Sequence, residues 1–100
     1  MTPEGEIKKA AKKYLDDAGA HHDWPVQTGY GKRMLDCYAC INGSYHGIEA
    51  KREGITEPDP HQADIMTKIR AAGGRTWVVT GRRENGTVVL IWIEITKPGG

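Results

Sequence analysis

Residues 34–51 read MLDCYACINGSYHGIEAK, and this stretch decides the fold. Two alternating runs flank Asn42-Gly43, the residue pair that two-residue type I′ hairpin turns favour. In that register Asp36 lies directly opposite Glu49, with the Cβ atoms about 5 Å apart on one face of the sheet. Lys51, two residues beyond Glu49, points to the same face and reaches Asp36 diagonally.

Two carboxylates opposed in this way repel each other and destabilise a sheet. A divalent cation would turn the repulsion into attraction, because Mg²⁺ and Mn²⁺ prefer hard oxygen ligands. Lys51 would then orient a water or stabilise negative charge that builds on a phosphate. The alternative is a solvated strand face, on which Lys51 screens both acids as an ordinary surface pair. Spacing alone leaves both interpretations open.

Length and composition predict one domain, residues 1–100, with a small core. The net charge of +1 creates no global basic field, so local patches would have to attract an anionic partner. We find no membrane-spanning run and no signal-like N-terminus, and we expect a soluble cytoplasmic protein. Cys37 and Cys40 point to opposite faces of a strand, which favours two reduced, packed thiols over a zinc or redox motif.

The first helix is predicted to begin after the Thr2 cap and to stop at Gly19. Glu4 lies one turn before Ile7 and so continues the inward apolar stripe, although the helix dipole alone would explain an acid there. The lysines are predicted on the opposite, solvated face, with phosphate contact as the less favoured interpretation. These lysines are Lys8, Lys9, Lys12 and Lys13.

A second helix is predicted from the Asp59 cap to Gly73-Gly74. Gln62 stands at its third position and precedes Ile65 by three residues, so it belongs to the buried side, although a capping role would account for it too. Between the helices and the hairpin, a short strand is expected within residues 20–27. The segment from Gly29 to Arg33 is a flexible basic loop whose Lys32 and Arg33 either contact phosphates near the acidic cluster or simply connect two elements.

Residues 75–80 are predicted to form a strand, residues 82–86 a turn, and residues 87–95 a final strand. Residues 88–93 are apolar on both faces of that last strand, so both faces require a cover. A second copy of the chain is one obvious cover. The tail, residues 97–100, is expected to be loose.

The order helix-strand-strand-strand-helix-strand, with an acid and an E-x-K motif on adjacent strands, resembles the core of the PD-(D/E)XK nuclease superfamily. Within it, the chain most resembles the VRR-NUC domain, the virus-type replication-repair nuclease. The resemblance covers residues 2–80 and leaves the C-terminal hairpin strand, residues 87–95, outside it. The matching segments are Thr2-Pro3-Glu4-Gly5, Leu35-Asp36, Gly47-Ile48-Glu49-Ala50-Lys51, Pro60-His61-Gln62 and Ala72-Gly73-Gly74. Leu35 stands where the family often has proline, which binds nothing.

The resemblance implies an α/β fold of the mixed α+β type, with a restriction-endonuclease-like, Holliday-junction-resolvase-like core and an added C-terminal β-hairpin. It also implies roles for the matching residues. Asp36, Glu49 and the Ala50 carbonyl would bind Mg²⁺ or Mn²⁺, and Lys51 would be the catalytic lysine. Glu4 and Gln62 would complete the site, with Glu4 able to hold a second cation or a ligand water.

The function expected from this resemblance is metal-dependent hydrolysis of DNA phosphodiester bonds, selective for branched or flapped DNA in replication or repair. Lys32, Arg33, Lys8 and Lys12 would contact the DNA backbone. Stand-alone, phage-type members of the family lead us to expect a homodimer. Two alternatives stay open: a nucleic-acid-binding module of the same fold that does not cleave, and a small structural or interaction protein.

Overall fold

A computed structural model describes residues 2–27 and 31–96, in which two helices pack on opposite faces of a five-stranded mixed sheet. The predicted fold class and order of elements are confirmed. The elements are α1 (Pro3–Asp17), β1 (His21–Asp23), β2 (Cys37–Ile41), β3 (Ser44–Ala50), α2 (Pro60–Ala71), β4 (Arg75–Glu84) and β5 (Thr87–Glu94). The predicted loop residues Gly29 and Tyr30 and the tail, residues 97–100, lie outside the described residues.

The hairpin between β2 and β3 has the predicted register. Asn42 and Gly43 both adopt positive φ, 49° and 81°, as a type I′ turn requires. Pairing begins at Ile41 with Ser44 and continues to Cys37 with Ile48. Asp36 therefore stands one step beyond the last pair, at the level of Glu49.

The sheet has the strand order β1-β2-β3-β4-β5, with β3 in the centre. β3 pairs with β2 antiparallel and with β4 parallel, and α2 is the crossover that the parallel pair requires. The start of β2, the end of β3 and the first turn of α2 therefore meet at one end of the sheet.

Alternation along β3 divides its side chains between two cores. Ile48 and Ala50 face α1 and pack with Ile7, Ala11 and Leu15. Gly47 and Glu49 lie on the opposite face, which α2 covers. A Cβ atom at Gly47 would lie 2.6 Å from Ile69 Cδ1, so the glycine allows α2 to approach the sheet closely.

The structure corrects the boundary between β4 and the last turn. β4 continues through Glu84, whereas residues 82–86 were predicted to be a turn. Only Asn85 and Gly86 form the turn, with φ of 49° and 78°, and Glu84 pairs directly with Thr87. The second Asn-Gly pair thus builds the same two-residue hairpin as the first, which keeps the preceding residues in the strand.

The two cysteines lie on opposite faces of β2, as predicted, but only Cys37 is packed, because Cys40 lies where the sheet face is open. Cys37 is buried on the α1 side, and Cys40 is exposed on the other. Burial raises the pKa of the Cys37 thiol to about 12, so this thiol stays protonated and unreactive. Within the described ranges, no helix is long and apolar enough to cross a membrane.

Candidate active site

Asp36 and Glu49 meet at the end of the sheet, each held by the backbone of the other strand. The Asp36 backbone N–H donates to Glu49 Oε1 at 3.1 Å, and the Ala50 backbone N–H donates to Asp36 Oδ2 at 3.0 Å. These two bonds fix both carboxyl groups on the α2 side of the hairpin. The predicted juxtaposition of the two acids is therefore present.

Glu49 is strongly perturbed by this environment. Its residue is only 5% exposed. Burial, followed by the hydrogen bond and charge of the neighbouring Asp36 carboxyl, raises the pKa of the Glu49 carboxyl to about 8, against the opposing effects of the Asp36 N–H and Lys51. Without another cation, Glu49 therefore retains a proton near neutral pH. A buried acid with this pKa is typical of functional sites.

Lys51 is buried beside the pair, but its contact differs from the predicted one. Its Nζ lies 3.4 Å from Asp59 Oδ2, whereas the strand register predicted a diagonal reach to Asp36. The Lys51 backbone N–H still donates to Val79 O at 2.9 Å, so the residue continues the ladder with β4. The difference arises from Asp59, the N-cap of α2, whose carboxylate lies within reach of the Lys51 ammonium. Lys51 nevertheless lowers the pKa of Glu49, which places its positive charge within reach of that carboxyl.

Gln62 links the second helix to the site, as predicted. Its Nε2 donates to Glu49 Oε2 at 2.9 Å, while its Oε1 accepts the backbone N–H of Asp59 at 2.8 Å. One amide thus caps α2 and orients the Glu49 carboxyl. The capping interpretation of Gln62 is confirmed, and the hydrogen bond to Glu49 brings its side chain beside the two acids.

The first helix contributes a residue that the sequence placed elsewhere. Lys8 Nζ lies 3.2 Å from Asp36 Oδ1, so Lys8 is not on the solvated face predicted for it. Glu4 is exposed, whereas the apolar stripe predicted an inward direction. The first buried residue of α1 is Ile7, so the opening turn extends past the core. Glu4 still shares a helix face with Lys8, one turn later.

The other predicted DNA contacts lie at different places. Lys12 Nζ stands 5.1 Å from the centre of the Trp24 ring, a cation–π contact. Lys32 and Arg33 are exposed shortly before Asp36 and line a cleft beside the hairpin. The sequence analysis did not single out the aromatic residues of this cleft. Tyr38 lies two residues after Asp36 and Tyr45 lies four residues before Glu49, so the strand period of two could have placed them on the same face as the acids.

The donor set fits a hard divalent cation. Across residues 2–27 and 31–96, no three His, Cys, Asp or Glu side chains converge as a complete metal cage. Mg²⁺, however, commonly takes one or two carboxylates and completes its shell with waters and substrate phosphates. Asp36 and Glu49 supply that number, and the adjacent Ala50 carbonyl adds a third hard oxygen donor. Asp36, Glu49 and the Ala50 carbonyl could hold such an ion.

No family model and no curated protein matches the sequence. Among solved structures, the mixed sheet with two helices matches restriction-endonuclease-like and resolvase-like neighbours in fold. The chain is similar to a VRR_NUC domain, with a TM-score of 0.66 and 27% identity over 81% of this chain and 86% of that one. The resemblance read from the sequence is thereby confirmed.

A second similar structure is Hjc, a Holliday junction resolvase from Archaeoglobus fulgidus. The TM-score is 0.60, with 15% identity over 90% of this chain and 87% of that one. At this identity the likeness shows a shared fold. It extends over nearly the whole chain and so includes part of the C-terminal hairpin.

Proposed function

We propose that this chain is a divalent-metal-dependent nuclease that hydrolyses DNA phosphodiester bonds. The observation that carries the proposal is the contact of the buried Glu49 with the partly buried Asp36, beside the buried Lys51. Burying an acid against a second acid is costly, and a structural role would be served better by side chains that do not ionise. The similarity to a VRR_NUC domain supports the same conclusion.

When bound to Asp36, Glu49 and the Ala50 carbonyl, Mg²⁺ or Mn²⁺ would polarise the scissile phosphate and lower the pKa of a water. Gln62 is a positioning residue, since it holds Glu49 Oε2 in one orientation. Lys51, held by Asp59 in a buried setting, positions or deprotonates the attacking water, or offsets charge that develops on the phosphate.

Lys8 and Glu4 complete the proposed site from the first helix. Lys8 neutralises Asp36 in the structure as described, and its flexible stem also allows its ammonium to contact a phosphate. Glu4, one turn earlier, is the residue of this set that would hold a ligand water or a second cation.

The proposed substrate is branched or flapped DNA, as expected of a replication or repair nuclease. A resolvase of the same fold supports a structure-selective substrate. The proposed contacts with the DNA are made to its sugar-phosphate backbone, which carries no sequence information, so the bases would not be read. The residues proposed for these contacts are Lys32, Arg33, Lys8 and Lys12.

We also propose a homodimer formed through β5, the edge strand of the sheet. Val88, Leu90 and Trp92 pack against the α1 core but remain half-buried, and residues 89, 91 and 93 are half-buried on the other face. Among the described atoms, Trp92 Nε1 is buried without a hydrogen-bond partner. An edge with these properties favours pairing with a second copy. Sedimentation showing only a monomer at high protein concentration would contradict the dimer.

A cleavage assay tests the main proposal. The protein is incubated with single-stranded, duplex, flap and four-way DNA in EDTA, Mg²⁺ and Mn²⁺. We expect cleavage that requires a divalent ion and is lost in Asp36→Ala. DNA binding without cleavage in every metal would instead support the binding module, and neither binding nor cleavage would support the structural protein.

A further inference from the structure

A cleft of about 690 Å³ opens on the α2 side of the β2–β3 hairpin. Its floor holds Tyr38 and Tyr45, one wall carries Lys32 and Arg33, and the other carries Lys68 of α2. The cleft lies on the same face of the sheet as Asp36 and Glu49. It is therefore a second feature on the working face of the molecule.

The two tyrosines form an aromatic platform, defined here as Tyr38 and Tyr45. Their ring centres are 6.0 Å apart with the planes tilted by 30°. Tyr38 is held in place because its hydroxyl accepts the Leu35 backbone N–H at 3.0 Å. Tyr45 remains 51% exposed, and it is one of the few large hydrophobic side chains among the described residues to be so open. Such a ring offers a flat apolar surface to a partner.

The charges around this platform have one sign. Lys32, Arg33 and Lys68 line the cleft, and none of its described lining residues is acidic. Lys68 pairs with Asp64 at 3.0 Å on the open surface, where such a pair is weak and readily exchanged. A partner that presents negative charge and flat rings together would match both properties.

The platform is in register with the proposed active site. Tyr38 follows Asp36 by two residues, and Tyr45 precedes Glu49 by four, so at ~3.3 Å per residue the offsets along the strands are about 7 and 13 Å. Because both spacings are even, the two tyrosines and the two acids lie on the same face of the sheet. One strand of a nucleic acid lying along the hairpin can therefore reach the platform and the carboxylates together.

We propose that this cleft binds an unpaired segment of the substrate strand, with a base stacked on Tyr45 and phosphates paired to Lys32, Arg33 and Lys68. The base must be unpaired, because a duplex hides the flat faces of its bases while a single strand exposes them. The inference rests on the proposed function and deepens it: the preferred substrates carry a single-stranded arm, as flaps do, rather than being fully paired junctions.

The main experiment measures binding of a fluorescently labelled oligo-deoxythymidine by anisotropy in EDTA, which separates binding from cleavage. Tyr45→Ala should weaken binding by about 5- to 150-fold, the range that loss of one base–aromatic stack gives. Tyr45→Phe should bind as wild type does. Tyr14→Ala is the matched control, because Tyr14 is 52% exposed but belongs to α1 on the other side of the sheet.

Crosslinking of the wild-type protein provides a second measurement that does not depend on any variant being folded. An oligonucleotide containing 5-iodouracil is irradiated with the protein, and the crosslinked residue is identified by mass spectrometry. We expect Tyr45 or Tyr38. Crosslinks elsewhere only, or equal affinity of wild type and Tyr45→Ala, would overturn the inference.

The outcomes also distinguish this inference from the proposed function. Tyr45-dependent oligonucleotide binding without cleavage in any metal would support the cleft and refute the nuclease. Metal-dependent cleavage at the same rate on flap and blunt duplex, unchanged in Tyr45→Ala, would refute the cleft and support the nuclease.

Discussion

His46 and Glu49 are two buried residues of β3 with nearly equal exposure, 6% and 5%, and opposite surroundings. His46 Nδ1 accepts the Trp77 indole N–H at 2.9 Å, and the two rings stack with centres 6.2 Å apart. Burial lowers the pKa of His46, and Arg75 lowers it further, so the ring is neutral and requires no partner of opposite charge. Glu49 faces another acid instead. Burial of a polar group therefore does not by itself indicate a functional site, whereas burial of one acid against another does.

The largest effect that would test the contrast between Glu49 and His46 is expected from removing Lys51, the lysine beside Glu49. Lys51→Met should lower kcat/KM for DNA cleavage by about 10²–10³-fold, because a positive charge aimed at a developing phosphate charge is lost. The stem of methionine preserves most of the packing, so the thermal midpoint should change little.

Lys13→Met is the matched control for that variant. Lys13 is an exposed lysine whose partner, Asp17, lies on the same open helix face. Full activity in Lys13→Met with loss in Lys51→Met would support the mechanism. Equal activity in both variants would remove Lys51 from the chemistry.

A smaller effect is expected from Gln62→Leu, which removes the amide that orients Glu49. Loss of a positioning group next to a metal ligand typically costs about 10–100-fold in metal affinity or activity. The measurement is a Mn²⁺ titration followed by thermal shift, together with cleavage rates.

Thr2→Ala separates positioning from capping. The Thr2 hydroxyl accepts the Gly5 N–H at 3.0 Å and caps α1, so this variant loses a helix cap without touching Glu49. It should lose about 1 kcal/mol of stability and retain its Mn²⁺ affinity. A Gln62→Leu protein with normal Mn²⁺ affinity would show that the amide only caps α2.

The pH dependence of stability follows from the raised pKa of Glu49. The folded protein keeps this proton up to about pH 8, whereas the unfolded chain releases it near its ordinary value of 4.5. Folded molecules therefore bind more protons than unfolded ones between those values, and the free energy of unfolding falls as the pH rises through this window. We expect the thermal midpoint in EDTA to fall across it.

Two variations check the origin of that fall. Glu49→Gln, which does not titrate, should flatten the profile over the same window. Mn²⁺ at the alkaline end should raise the wild-type midpoint, because the cation takes the place of the proton. A decline of equal size in Glu49→Gln would assign the effect to another group.

The smallest effect is expected on the His46 side. Trp77→Phe removes the indole N–H donor and retains an aromatic ring, so the free energy of unfolding should fall by ~1 kcal/mol. Cleavage should be unchanged, because His46 lies on the opposite face of β3 from Glu49. Denaturation in guanidinium and the cleavage rate are measured together, and a loss of activity larger than the loss of stability would contradict the contrast between the two residues.

Local rules predicted the parts of this site that local geometry determines. Asn42-Gly43 sets the turn, and the turn sets the register of Asp36 against Glu49. The direction of Gln62 followed from its place three residues before Ile65. Each of these depends on residues that are near one another in the sequence.

The predictions that were wrong concern side chains whose contacts depend on how the helices and strands pack against each other. The apolar stripe of a helix defines its buried face only to within about one residue, or 100° of rotation. Lys8 directly follows the buried Ile7, so the stripe does not decide whether its side chain reaches the site or the solvent. Glu4 is exposed because the core begins at Ile7. The partner of Lys51 depends on the path of the loop after β3, which brings Asp59 at the start of α2 close to the Lys51 ammonium. None of these follows from periodicity.

The parallel pairing of β3 with β4 has a consequence for synthesis on the ribosome. Lys51 donates its backbone N–H to Val79 O at 2.9 Å, and β4 lies beyond the whole of α2 in the sequence. The acids and Gln62 therefore emerge first, but the central strand gains its second neighbour only when β4 has been made. A nascent chain that ends before β4 holds every reactive group without the scaffold that aligns them.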